Sequence, residues 1–74
     1  MKFDRITINP EVMGGKPCIR GMRVTVSTVL DLLASGNSVA TILNEYPYLV
    51  AEDVTQALAY ASWRVNEREV VLSL

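Results

Sequence analysis

Three cationic side chains lie close together in the first third of the chain: Lys16, Arg20 and Arg23 belong to the run GGKPCIRGMRVTV. Ammonium and guanidinium groups bind phosphates or carboxylates, and a guanidinium donates two parallel hydrogen bonds to either anion. The stretch therefore predicts binding of an anion, either a nucleic-acid phosphate or the carboxylates of a partner protein. The same charges are also typical of a solvated surface, and the sequence leaves both interpretations open.

The backbone around these cations is constrained by a turn-forming motif, Gly14, Gly15, Pro17 and Gly21. Paired glycines permit positive φ angles, and Pro17 fixes its own φ and holds the preceding residue extended. Gly21 predicts a tight turn, so residues 18–24 are interpreted as a β-hairpin that preorganises the basic side chains. A narrower hypothesis is that the glycine pair and the lysine after it bind a small anion.

Residues suited to catalysis or metal binding are scarce. The chain has no histidine, which removes the usual general base and every histidine-containing nucleophile pair or metal set. Cys18 is the single thiol and is expected to be a small buried hydrophobe. The adjacent Glu52 and Asp53 diverge by about 100° on a helix, so their expected role is to stabilise its first turn. We therefore expect a protein that is not an enzyme and uses no metal or cofactor.

Size and composition favour self-association. The chain has 74 residues, half of them hydrophobic, and a mean hydropathy of +0.24. A chain of this length buries only about 60–65% of its extended surface on folding, so we expect a homodimer, a higher oligomer or an obligate partner. No apolar run is long enough to span a membrane, and a single cysteine is typical of a reducing compartment. A cytoplasmic location is expected.

Charge is distributed unevenly along the chain, although the formal net charge is only −1. Residues 1–24 carry five Lys or Arg and two Asp or Glu, whereas residues 25–74 carry two and six. A near-neutral balance is unusual for a protein whose main task is to bind phosphates. If a polyanion is bound, it is expected to contact the amino-terminal third.

The elements that position these residues are predicted by periodicity and capping. Residues 5–8 favour a short strand. Apolar residues spaced at i, i+3, i+4 and i+7 predict three helices, which Thr25 and Ser38 cap and Gly36 and Pro47 terminate. The helices are expected over residues 26–35, 39–46 and 51–66. The predicted fold class is mainly α: a three-helix, helix-turn-helix (homeodomain-like) bundle preceded by a short β-strand and a β-hairpin.

The chain is interpreted as one domain, 1–74. It comprises the strand and basic hairpin in residues 1–24, the bundle in 25–66 and an apolar tail in 67–74. The tail, EREVVLSL, is rich in apolar and β-branched residues, which makes it prone to edge pairing. We expect it to form a carboxy-terminal strand beside residues 5–8, either in its own chain or in a second copy.

The third helix carries the candidate contact residues. In a helix-turn-helix it would be the recognition helix, and Gln56 is its one outward residue well suited to a base edge. Tyr60 and Trp63, at i and i+3, are candidates for a partner contact because aromatic side chains anchor interfaces. Closure of the core over the hairpin explains Trp63 equally well. The buried stripe of this helix is predicted to be Val54, Ala57, Leu58, Ala61 and Val65.

Two groups of candidate site residues follow. Candidates for DNA or anion binding are Lys16, Arg20, Arg23 and Gln56. Candidates for partner binding are Tyr60, Trp63, Arg64, Val70, Val71 and Leu72.

One stretch also resembles a known family. The run NPEVMGGKPCIRGMRVTV, followed by an apolar helix ending at Gly36 and by Tyr46-Pro47 before helix three, resembles the small prokaryotic family called domain of unknown function 433. The resemblance covers roughly residues 5–62, and the spacing GGKP-x-I-x-G-x-R-x-x-V is its most specific part. It departs at Val50, where the family leads us to expect a hydroxyl cap, so we expect the start of helix three to be held less well.

The resemblance implies a three-helix, DNA-binding-type domain with a short β-element. Some members of the family lie beside PIN-like ribonuclease toxins and are described as VapB-like antitoxins. The chain is therefore expected to be a non-enzymatic, antitoxin-like module that masks such a ribonuclease through residues 63–74 and binds promoter DNA through the hairpin cations and Gln56. The alternative is a structural homodimer or protein–protein adaptor with no nucleic-acid role.

Overall fold

The computed structural model describes residues 3–67. Two short strands pair antiparallel, with Ile6 opposite Ile19 and Thr7 opposite Cys18. The predicted fold class, a three-helix bundle behind a short β-element, is confirmed, and the predicted carboxy-terminal strand lies outside the described residues. The elements are β1 (Ile6–Thr7), β2 (Cys18–Ile19), α1 (Val26–Ala34), α2 (Val39–Glu45) and α3 (Ala51–Glu67).

The hairpin uses different arms from the ones that the sequence predicts. Its two strands are β1 and β2, whereas residues 23–24 form no strand. The chain after the turn contacts β2 through the Ile19 N–H, which donates to the Val24 carbonyl at 2.9 Å, and through one isolated bridge between Cys18 and Thr25. The predicted second arm is therefore reduced to a short return into α1.

The tight turn lies where the sequence predicts it, over Ile19 to Met22. The Met22 N–H donates to the Ile19 carbonyl at 2.8 Å, and the two central residues, Arg20 and Gly21, have φ angles of +45° and +73°. Positive φ at both positions is typical of a type I′ turn, which matches the twist of paired strands. The Gly21 N–H also donates to the Thr7 hydroxyl at 2.8 Å, so the turn is tied to β1.

The helices begin and end within one residue of the predicted positions. The hydroxyls of Thr25 and Ser38 each accept a backbone N–H from three residues further on, at 3.1 Å, and so cap α1 and α2. The chain leaves α1 through Gly36, whose φ is +93° and whose N–H donates to the Leu33 carbonyl. Local capping chemistry therefore defines these boundaries.

The core lies between the three helices and the turn, and its fully buried apolar side chains are all small or medium in size. On α3 the buried stripe is shorter than predicted, because Leu58 is 48% exposed and Val65 is 69% exposed. From Leu58 onwards α3 thus presents apolar side chains at the surface. The buried cluster consists of Ile19, Val24, Val26, Val29, Ile42, Leu49, Val54 and Ala57.

Replacing Gly21 tests the turn. A β-carbon built at Gly21 meets nothing within 4 Å. The cost of Gly21→Ala is therefore the conformational strain of a residue with a β-carbon at positive φ. We expect the free energy of unfolding to fall by about 1 kcal/mol, measured by urea denaturation. Gly21→Asn is the matched control and should lose less, because asparagine tolerates positive φ better than alanine. Equal stability of Gly21→Ala and the parent chain would contradict the positive φ.

Candidate functional site

A buried carboxylate at the first turn of α3 holds two arginines from the β-element. The Asp53 side chain has no exposed area. Arg20 approaches it in a fork, with Nε at 3.0 Å from Oδ1 and Nη2 at 2.9 Å from Oδ2. Arg5 donates from Nη1 to Oδ1, also at 3.0 Å. One carboxylate therefore joins the strand, the turn and the helix, and we call Arg5, Arg20 and Asp53 the arginine–aspartate cluster.

Asp53 also caps its own helix. The Val50 N–H donates to Asp53 Oδ2 at 3.0 Å. This is one of the two hydrogen bonds of a capping box, the one that the side chain of the third helical residue accepts. Val50 has no side-chain oxygen for the other half, as the sequence indicates. Arg20 adds a bond from Nη2 to the Tyr48 carbonyl at 2.8 Å, so the loop before α3 is held as well.

The cluster fixes the ionisation of Asp53. Burial alone would raise the pKa of this carboxyl, but hydrogen bonds from Arg20, from the Val50 N–H and from Arg5 outweigh it and lower the pKa from 3.8 to about 2. The hydrogen bond to Asp53 raises the pKa of Arg20 in turn. Asp53 is therefore ionised at neutral pH and cannot act as a proton donor there.

Two of the four candidates for DNA binding have partners within the fold. The Arg20 guanidinium is bound to Asp53 and Tyr48. Gln56 accepts a hydrogen bond from the Arg5 N–H and donates to Asp4 Oδ1 at 2.9 Å, so both ends of its amide are used. These residues hold β1 against α3, a role that the sequence interpretation does not assign to them.

The other two cations lie beside different surfaces. Lys16 borders a groove between α1 and α3, whereas Arg23 lies with Met22 next to Tyr48. The structure therefore does not gather the basic side chains around one groove. The small-anion hypothesis at the Gly14-Gly15 turn also loses donors, because the N–H groups of Gly15 and Lys16 already donate to carbonyls within the same turn.

An aromatic cluster, Phe3, Tyr60 and Trp63, covers one side of α3. The ring centroids of Phe3 and Tyr60 are 5.2 Å apart in an edge-to-face arrangement, and Trp63 lies 5.6 Å from Phe3 and 5.9 Å from Tyr60. Trp63 remains 41% exposed. Trp63 packs on Phe3, three residues before β1, rather than closing the core over the turn, and rings on two sides restrict its orientation.

The apolar groove between α1 and α3 encloses about 410 Å³. Lys16 and Arg64 are its cationic lining residues, and the lining between them is almost entirely apolar. We call it the α1–α3 groove, and its apolar lining consists mainly of Pro17, Val26, Leu30, Tyr60, Ala61 and Val65.

Comparison with known proteins places the chain in a family. The family model described as "Protein of unknown function (DUF433)" matches residues 6–61. The chain belongs to the DUF433 family. Arg20 and Asp53 of the arginine–aspartate cluster lie within the matched region, and Arg5 lies one residue before it. Val70, Val71 and Leu72, three of the predicted partner-binding residues, lie outside the described residues.

Two relatives illustrate the family. The uncharacterized protein y4eO of Sinorhizobium fredii is 41% identical over 56 residues, covering 76% of this chain and 25% of the relative. The crystal structure of a DUF433 member from Anabaena variabilis superposes with a TM-score of 0.81 at 33% identity, covering 86% of this chain and 63% of the other. This DUF433 chain thus spans about a quarter of the curated relative and less than two thirds of the solved one.

Neither a metal centre nor a membrane span is found in the described part of this DUF433 protein. Between residues 3 and 67, no three side chains of the His, Cys, Asp and Glu types converge on a point that would hold a metal ion. Over the same range no helix combines the length and apolarity needed to cross a bilayer. Cys18 is buried, and its thiol donates to the Lys16 carbonyl.

Removing the carboxylate tests the cluster. Asp53→Asn deprives two arginines of their anion and weakens the cap, so we expect the free energy of unfolding to fall by about 2–4 kcal/mol, measured by chemical denaturation. Glu52→Gln is the matched control, because Glu52 is exposed and, within residues 3–67, pairs with Arg5 alone, at 3.2 Å. Glu52→Gln should lower the free energy of unfolding by no more than about 0.5 kcal/mol. Comparable losses in Asp53→Asn and Glu52→Gln would contradict the role of Asp53 as the anion of the cluster.

The lowered pKa of Asp53 predicts a specific acid dependence of stability. Since the folded pKa lies below the unfolded one, the contribution is complete above about pH 5 and is lost as the pH falls towards 2. The difference in unfolding free energy between the parent chain and Asp53→Asn should therefore shrink by about 2 kcal/mol between pH 5 and pH 2. A constant difference over that interval would show that the carboxyl titrates normally in the folded state.

Proposed function

We propose that this DUF433 protein is a non-enzymatic, antitoxin-like module that neutralises a PIN-like ribonuclease by direct contact. The contact surface would comprise the exposed end of α3 around Trp63 and residues 68–74. The observation that carries the proposal is the exposed and oriented Trp63. The choice of a ribonuclease as partner rests on the family resemblance, because some members of the family are described as VapB-like antitoxins.

Trp63 has the properties of an interface anchor. Its ring is half exposed and is held by Phe3 and Tyr60. A side chain that is already oriented loses little rotamer freedom on binding, and an aromatic ring buries a large area. Interfaces concentrate their binding energy in such residues. A partner protein that covers Trp63 would therefore gain affinity at low entropic cost.

The sequence after Trp63 complements this anchor. Glu67 and Glu69 precede the apolar residues VVLSL. The RNA-binding cleft of a ribonuclease must be basic to hold phosphates, and carboxylates compete for the same cations. An apolar segment with acidic residues before it is therefore suited to occupy such a cleft, either as an added strand or as a helix.

DNA binding is not part of the proposal and stays a prediction from the sequence. Arg20 and Gln56 would have to leave Asp53 and Asp4 before they contacted a base or a phosphate. A gel shift with upstream DNA at two salt concentrations tests this prediction directly, because binding through several phosphates weakens steeply with salt. A gel shift that weakens as the salt concentration rises would support DNA binding as part of the function.

Inhibition of a PIN-like ribonuclease tests the proposal, and the neighbouring open reading frame is the place to look for one. We expect the full chain to abolish cleavage of a fluorescent RNA at stoichiometric amounts. Trp63→Ala should raise the inhibition constant by at least about tenfold, since losing a buried aromatic anchor costs about 2 kcal/mol or more. Cleavage rates against inhibitor concentration supply the measurement.

Tyr48→Ala is the matched control for this substitution. Tyr48 is an exposed aromatic residue with one described ring contact, to Tyr46 at 6.1 Å, and its backbone carbonyl still accepts from Arg20 after the change. It should inhibit like the parent chain. Absence of inhibition by the parent chain, together with self-association, would instead favour the alternative class, a structural homodimer or adaptor.

A further inference from the structure

We infer that the α1–α3 groove is a self-association surface that receives residues 70–74, VVLSL, of a second copy of this chain. The inference does not rest on the ribonuclease proposal, because it concerns only the contact between two identical chains. Since both contacts use residues 70–74, the dimer and the ribonuclease complex would compete for this segment. The inference also replaces the edge of β1, which the sequence analysis favours, with a different docking place for the tail.

The groove has the size and character of a peptide-binding site. Its volume of about 410 Å³ lies within the range of about 300–1,000 Å³ that is typical of ligand pockets. Val65 is 69% exposed at one side of it, although the side chain is apolar. Covering such a surface with an apolar segment releases the water in contact with it, which is a favourable free-energy change. The groove therefore favours aliphatic side chains over polar ones.

Residues 70–74 match the groove in composition and in charge. Four of the five are Val or Leu. Glu67, Arg68 and Glu69 come directly before them with a net charge of −1, and Lys16 borders the groove. Carboxylates placed near this ammonium group would orient the segment as it enters. The segment therefore combines apolar side chains suited to the apolar lining of the groove with carboxylates suited to the ammonium group at its edge.

A second copy fits better than the same chain folding back. The groove uses Ala61, Arg64 and Val65, which lie before the end of α3 at Glu67. To reach its own groove the chain would have to reverse direction immediately after the helix. Residues 67–72 contain no Gly, Pro, Asn, Asp or Ser, the residues that favour reversals. We therefore expect the segment to reach another molecule, and a twofold arrangement would let each copy fill the other's groove.

The mass of the chain in solution tests the inference. We expect light scattering with size-exclusion chromatography to give a dimer for the full chain at about 50 μM, since burying four aliphatic side chains per copy supports micromolar affinity. Val65→Asp should raise the dimer dissociation constant by about tenfold or more. Leu58→Asp is the matched control, because Leu58 is an exposed apolar residue of the same helix that does not line the groove.

Mixing two defective variants separates exchange between copies from folding back. Val65→Asp damages the groove and Val71→Asp damages the segment, so each variant alone should be mostly monomeric at a concentration between the dissociation constant of the parent chain and its own raised one. A mixture has one intact groove and one intact segment, and we expect it to form a heterodimer. Circular dichroism of each variant should retain the helical content of the parent chain.

Three results would overturn the inference. They are a parent chain that is monomeric at this concentration, a Val65→Asp variant that dimerises as well as Leu58→Asp, and a mixture of the two defective variants that stays monomeric while both remain helical. The first and third would be the results expected if the segment folds back onto its own chain.

Discussion

The structure depends on one carboxylate that is buried at the start of α3. Asp53 accepts from Arg5 and Arg20, which are 48 and 33 residues away in sequence, and from the backbone at Val50. A buried carboxylate without these donors would be costly to desolvate, and the arginines would lose their anion. The β-element and the bundle are therefore coupled electrostatically as well as by packing. This matters because, between residues 3 and 67, no buried apolar residue is larger than Ile or Leu.

The turn at Arg20 and Gly21 serves this coupling. Positive φ at Arg20 costs a non-glycine residue conformational energy, and the fork of hydrogen bonds to Asp53 offsets that cost. Placing arginine at the turn also brings Nη2 to the Tyr48 carbonyl before α3. The motif that looks like an anion-binding hairpin in the sequence thus binds an anion of its own chain. The apolar end of α3 and the α1–α3 groove then become the surfaces available for partners.

The sequence predicts local features well and long-range pairing poorly. Thr25, Ser38 and Gly36 define helix ends because capping depends on residues only a few positions apart. Asp53 looks like an ordinary first-turn anion, since nothing local reveals two arginines that arrive from a distant strand and turn. A carboxylate at the third position of a helix whose first cap is Val50 is the available hint. Leu58 and Val65 fit the helical period equally well, but no local signal shows that the tertiary fold leaves them exposed.

The central claim is that Arg20 and Asp53 act as one unit, and a double-mutant cycle tests it most directly. Free energies of unfolding are measured for the parent chain, Arg20→Ala, Asp53→Ala and the double variant under one set of conditions. The account predicts that the double variant is destabilised much less than the two single losses would suggest, because the second substitution removes an interaction that is already gone. Losses that add to within about 0.5 kcal/mol would show that the two side chains do not interact in solution, and would contradict the account.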